Sequence, residues 1–148
     1  MERDQATKFI YDLLRLMISK KASDLFITVG FPPAIKLDGK MTPVSQQPLS
    51  PQHTAELGRS VMNDRQAAEF EATKECQFAI SPAGIGRFRV SAFVQQGHVG
   101  LVLRTINSKI PTLEELGLPP VLKDVALTKR GLVIMVGATG SGKSTSLA

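Results

Sequence analysis

From Leu132 the chain reads Leu-Val-Ile-Met-Val and then, without a break, Gly-Ala-Thr-Gly-Ser-Gly-Lys-Ser-Thr. No other segment limits the possible folds as much. Five consecutive apolar residues bounded by Gly131 and Gly137 read as a strand buried on both faces. Residues Gly137 to Ser144 satisfy the pattern G-x-x-x-x-G-K-S/T, and Thr145 follows. Gly137, Gly140 and Gly142 let the backbone take conformations that a side chain forbids. Successive amides then converge on an anion, and a helix starting near Gly142 adds the positive end of its dipole. Lys143 is placed to reach the β- and γ-phosphates of ATP, and the Ser144 hydroxyl to ligate Mg²⁺. A random chain of this size carries the pattern roughly once in two hundred, so the match is specific. The expected nucleotide-binding residues are Gly137, Ala138, Thr139, Gly140, Ser141, Gly142, Lys143, Ser144 and Thr145.

The chain ends at Ala148, about one turn into the expected helix. A domain built on such a loop needs further parallel strands, helices and an acidic Mg²⁺-positioning residue. The expectation is therefore an N-terminal fragment of a longer protein, inactive as an ATPase on its own. With 148 residues, 43% of them hydrophobic and 21% charged, the composition is that of an ordinary globular protein. No apolar run approaches the roughly 20 residues of a membrane-spanning helix, and the mixed-charge start reads as no signal peptide. The single cysteine, Cys76, fits a reducing, cytoplasmic setting. The absence of any cysteine–histidine cluster argues against structural zinc, and His53 and His98 stand alone. The net charge of +5 is spread among acidic residues, and one Tyr with no Trp leaves little for base stacking, so nucleic acid is not expected as a partner.

Upstream, Ala6 to Lys20 reads as an amphipathic helix with Phe9, Leu13, Leu16 and Met17 at helical spacing, widened by Ile10 and Leu14. Asp24 to Val29 reads as a strand. Ala34–Leu37 and Lys40–Val44 read as a hairpin around Asp38-Gly39. Ser50 before Pro51 suits an N-cap, with helices expected to Met62 and Thr73. Glu75 to Ile80 and Val99 to Ile106 are expected strands. Between them, Arg87 to Gln95 alternates, with Phe88, Val90, Ala92 and Val94 on one face and Arg87, Arg89, Ser91 and Phe93 on the other. Strands in neighbouring runs with segregated helices give an α+β class with an antiparallel sheet. Pro111, Gly117, Pro119 and Pro120 mark a linker with a short turn at Leu113–Leu116, and a boundary falls near residue 110. A short helix is expected from Val121 to Leu127.

Four motifs then carry a resemblance. They are Ser23-Asp24-Leu25-Phe26-Ile27, Gly86-Arg87-Phe88-Arg89-Val90-Ser91-Ala92-Phe93, Leu113-Glu114-Glu115-Leu116-Gly117-Leu118-Pro119, and the glycine loop continued by Ser146-Leu147-Ala148. In that order they resemble the type IV pilus retraction ATPases of the PilT/PilU group, within the type II/IV secretion ATPase superfamily. The ending is closer to the PilU branch. The resemblance implies a PAS-like N-terminal domain over 1–106, a linker over 107–120, and the start of a RecA-like α/β P-loop NTPase domain over 121–148. It implies a homo-hexamer, alone or with a paralogous retraction ATPase, on an inner-membrane pilus platform protein. It places that hexamer in the cytoplasm, peripheral at the inner-membrane base of the pilus machine. ATP hydrolysis would drive domain motion, pilus retraction and twitching motility. Related alternatives are pilus-assembly, type II secretion and DNA-transfer ATPases, and a non-catalytic binding fragment. The resemblance also implies that N-terminal arginines approach the γ-phosphate, here Arg87, Arg89 and Arg104, which suit it as forked, permanently charged donors. A solvent-facing stripe, or ion pairs with Glu71 or Glu75, is the other reading of these arginines. Asp24 reads better as a turn residue flanking the first helix.

Overall fold

The computed structural model describes residues 2–107, 111–138 and 140–147. They fall into two compact units, Met1–Ile106 and Asn107–Ala148.

The first unit opens with α1, Arg3–Ser19. Its buried side chains are Ala6, Ile10, Leu13, Leu14 and Met17, spaced so that one stripe faces the core. That stripe is centred on Ile10, Leu14 and Met17, so the residues expected to widen the apolar face, Ile10 and Leu14, lie at its middle, and Phe9 and Leu16 lie off it. The strands β1 (Asp24–Ile27), β2 (Ala34–Leu37) and β3 (Lys40–Pro43) follow. Asp38 and Gly39 both take positive φ, 48° and 80°, the conformation that matches a two-residue turn to strand twist. Helix α2, Pro51–Val61, starts as its sequence dictates: the Ser50 hydroxyl accepts from the His53 amide at 3.2 Å, with Pro51 in the first turn. Helix α3, Asp64–Thr73, is closed by a reciprocal cap between Asn63 and Gln66. Three longer strands complete the unit: β4 (Glu75–Ile80), β5 (Arg87–Gln95) and β6 (His98–Ile106).

All six strands form one antiparallel sheet in the order β3-β2-β1-β6-β5-β4. Two meanders therefore meet where the early strand β1 pairs with the last strand, β6. The α+β class with an antiparallel sheet is thus the observed one. Helices cover one face: α1 packs on α2 and β1, α2 on β6, and α3 on β4. Leu25, Ile27, Ile35, Phe88, Val90, Ala92, Leu101 and Leu103 point into that layer with Ile10, Leu14, Met17 and Leu57. Each of these side chains other than Ala92 contributes about 1.5–3 kcal/mol by burial. The period of two sends the intervening residues to the opposite face, so Arg87, Arg89 and Arg104 stand exposed there.

The second unit is sparse. The turn expected at Leu113–Leu116 is present: the Leu116 amide bonds the Thr112 carbonyl at 3.2 Å, and Thr112 and Glu115 cap each other. The Lys123 ammonium bonds the Glu114 carboxylate, and that bond is the first cause holding the carboxyl below its ordinary value. Helix α4 is Val121–Ala126 and α5 is Lys143–Leu147. One expectation fails. Residues Leu132 to Val136 form no strand, and Leu132 and Val136 are 83% and 90% exposed. A central strand needs neighbours on both sides for its amides and carbonyls and layers on both faces for its side chains. The described residues of the second unit supply only turns and two short helices.

Candidate nucleotide-binding site

The loop after Val136 folds around itself. Gly140 and Gly142 have φ of +81° and +91°, where a side chain is strained. Gly137 is bare for a different reason: a Cβ there would lie 2.5 Å from Ser141 Oγ. The Ser141 amide bonds the Ala138 carbonyl at 3.1 Å and tightens the bend. The chain then enters α5 at Lys143.

Around one side of this bend lies a cavity of about 420 Å³, lined by Ala138, Gly140, Gly142, Lys143, Ser144 and Thr145. The lining presents one ammonium and two hydroxyls, and no carboxylate. Among the described residues, the amides of Gly142, Lys143, Ser144 and Thr145 meet no acceptor, as at any helix start. The Lys143 ammonium folds back onto the carbonyls of Gly137 and, at 3.2 Å, Ala138. A wall that offers donors and positive charge suits a polyphosphate, which brings only acceptors. The Ser144 hydroxyl lines the same cavity as Lys143 and would be an oxygen ligand for a Mg²⁺ ion, were one bound with the nucleotide. Gly137 and Ser141 shape the bend from behind. Thr139, also expected in the cradle, lies outside the described residues.

The arginines belong to the first unit. On the exposed sheet face Arg89 lies directly across from Arg104 in the β5–β6 register, and Arg87 across from Ile106. Like charges placed opposite each other repel. One of the two is compensated: Arg104 Nε donates to Asp24 Oδ1 at 3.0 Å. Of the alternative reading, a solvent-facing stripe or ion pairs with Glu71 or Glu75, the ion pairs are absent among the described residues, where Arg87 and Arg89 have no acidic partner. Asp24 is the residue that sequence reasoning undervalued. It is the first residue of β1 rather than a helix-flanking turn residue, and it is buried. The available signal was alternation, since Asp24 shares its parity with Phe26 and not with the core residues Leu25 and Ile27. Its partner could not be read without knowing that β1 pairs with β6.

Among known proteins, no family model matches the chain. The chain is 62% identical over 136 residues to the type IV pilus ATPase PilU of Pseudomonas aeruginosa, covering 92% of this chain and 36% of that protein. To the type IV pilus retraction ATPase PilT of the same organism it is 44% identical over 139 residues, 94% of this chain and 40% of that one. Among solved structures, the pilus retraction motor PilT with bound ADP superposes with a TM-score of 0.78 at 36% identity, covering 93% of this chain and 40% of that chain. The DotB ATPase of Legionella pneumophila gives 0.62 at 28% identity, covering 96% and 40%. The chain spans about 40% of the length of the proteins it matches. In sequence and in fold it corresponds to the N-terminal part of the PilT/PilU-type ATPases.

Proposed function

We propose that this chain is the N-terminal part of a motor ATPase that hydrolyses ATP to power type IV pilus retraction and twitching motility. The observation that carries the reading is the loop of Gly137–Thr145, whose described residues gather an ammonium, two hydroxyls and unpaired amides on one cavity without a carboxylate. The 62% identity to PilU and 44% to PilT favour a retraction motor over the assembly, secretion and DNA-transfer alternatives. In this reading residues 1–106 form a PAS-like domain, 107–120 a linker, and 121–148 the beginning of a RecA-like ATPase domain. The working assembly is a hexamer at the cytoplasmic face of the inner membrane, docked on the pilus platform protein.

Each residue has a role that its chemistry allows. Gly137, Gly140 and Gly142 let the backbone close around the phosphates, and Ala138, Ser141 and Thr145 complete the described part of the cradle. Lys143 exchanges the carbonyls of Gly137 and Ala138 for the β- and γ-phosphates. Ser144 would hold Mg²⁺, which would supply positive charge against the phosphates. Arg87, Arg89 and Arg104 are the candidates for the guanidinium that meets the γ-phosphate in the assembled protein, where it stabilises developing charge.

Lys143→Ala in the full-length protein tests the reading. ATP turnover is expected to fall to background; turnover equal to wild type would remove the assignment. Deletion of the gene separates the directions of work. Hyperpiliated, non-twitching cells support retraction, whereas bald cells support assembly.

A further inference from the structure

The motif Leu113-Glu114-Glu115-Leu116-Gly117-Leu118-Pro119 lies where the sequence suggests a linker, yet its bonds are those of a finished element. Its start is capped reciprocally. The Thr112 hydroxyl accepts from the Glu115 amide at 3.2 Å, and Glu115 Oε2 accepts from the Thr112 amide at 3.0 Å, which is a capping box. Its end is closed as well. Gly117 has φ of +67°. Its amide donates to the Glu114 carbonyl at 3.1 Å, and the Leu118 amide donates to the Leu113 carbonyl at 3.2 Å. A left-handed glycine with this pair of bonds is a helix stop. The turn is also tied forward, because the Glu114 carboxylate meets the Lys123 ammonium of α4, nine positions on. Between turn and helix, Pro119 and Pro120 have little freedom in φ, and their carbonyls accept from the Leu122 and Lys123 amides at 3.1 Å each. Along this stretch Leu113, Leu116, Leu118, Leu122 and Val125 are half-buried, while Glu114, Glu115, Lys123 and Asp124 are exposed.

A flexible tether is built from residues that leave the backbone free. Two caps, a left-handed glycine, two prolines and an ion pair do the opposite. Residues that absorb a hinge motion must change φ and ψ, and between Thr112 and Leu127 such a change would break several of these bonds at once. We infer that Thr112–Leu127 is one stiff arm of the second unit, which passes domain motion on instead of absorbing it by bending. The transmission role rests on the reading above, that the chain is part of a motor ATPase; the stiffness of the arm does not.

The test is hydrogen exchange in the full-length protein, with and without a non-hydrolysable ATP analogue, beside ATP turnover and the twitching speed of cells carrying each variant. Peptides from residues 112–127 are expected to exchange alike in both nucleotide states. A nucleotide-dependent change there would overturn the stiff arm. Gly117→Val puts a β-branched residue at positive φ, a strain worth about tenfold in an opening equilibrium. It should speed exchange of the turn by about that factor and slow twitching, with kcat for ATP unchanged. Wild-type twitching with the turn opened would overturn the transmission role. If Gly117→Val does not fold, Thr112→Ala, which removes one cap, takes its place with the same directions expected. Lys123→Ala should speed exchange by up to about fivefold, the range of an exposed ion pair. The charge swap, Glu114→Lys with Lys123→Glu, should reverse that gain, and a swap no better than Lys123→Ala would overturn the forward tie. Lys143→Ala separates the two readings. Full turnover and twitching in that variant would remove the motor reading and the transmission role with it, while the exchange of residues 112–127 judges the arm independently.

Discussion

Cys76 shows how a single side chain senses its surroundings. It sits on the core face of β4, 3% exposed. Burial pushes its thiol above the ordinary value, and the charge of Glu69 adds to the effect. The unfolded chain ionises this thiol near pH 8.5, and the folded chain does so only at higher pH. Stability from keeping it neutral is fully present below that unfolded value and is lost as pH rises through the folded one. The stability difference between wild type and Cys76→Ala should therefore narrow between pH 7 and pH 10 in chemical denaturation. A constant difference would refute the assignment. Lys143 illustrates the reverse situation. Its type and spacing were readable directly, because the loop pattern is local, whereas Asp24 acquires meaning only from an arginine 80 positions away.

At the level of elements, local chemistry accounts for most boundaries in the first unit. Helix α3 begins where Asn63 Oδ1 accepts from the Gln66 amide at 2.8 Å and Gln66 Oε1 accepts from the Asn63 amide at 3.0 Å. Asn63→Ala removes half of this cap and should cost about 1 kcal/mol, lowering the melting temperature by about 4 °C or more. Gln66→Ala should cost less, since the Asn63 side chain still caps. A calorimetric scan showing no shift for Asn63→Ala would mean that packing of α3 on β4 alone decides where the helix starts. The turns at Asp38-Gly39 and Gln96-Gly97 are equally local, each with two residues at positive φ. The failed element, Leu132–Val136, has the opposite dependence. Its composition is that of a central strand, but a strand exists only by virtue of partners.

For the whole molecule, the asymmetry between the units has a thermodynamic consequence. Every buried hydrophobic side chain of the described residues lies between Ala6 and Leu103. Ordering each residue's backbone costs about 1–2 kcal/mol, and the second unit buries too little to offset that cost. A protein of residues 1–107 should therefore melt cooperatively at the same temperature as residues 1–148. Amides of the described residues between Val121 and Leu147 should exchange with solvent much faster than those of β5 and β6. A lower melting temperature for 1–107 would show that the second unit adds packing to the core.

Two kinds of information separate cleanly in this chain. Features set by neighbours within a few residues were legible from the order of amino acids: the phosphate loop, the cap at Ser50, the turn glycines, and the alternation that puts Arg87 and Arg89 on one face. They depend on dihedral freedom, short hydrogen bonds and side-chain period, all of which act over less than a helical turn or two. The pairing of β1 with β6, and with it the Asp24–Arg104 contact, came only with the fold. So did the failure of Leu132–Val136 to pair. Contacts between distant positions hinge on which surfaces meet, and that is decided by burying apolar area across the entire domain.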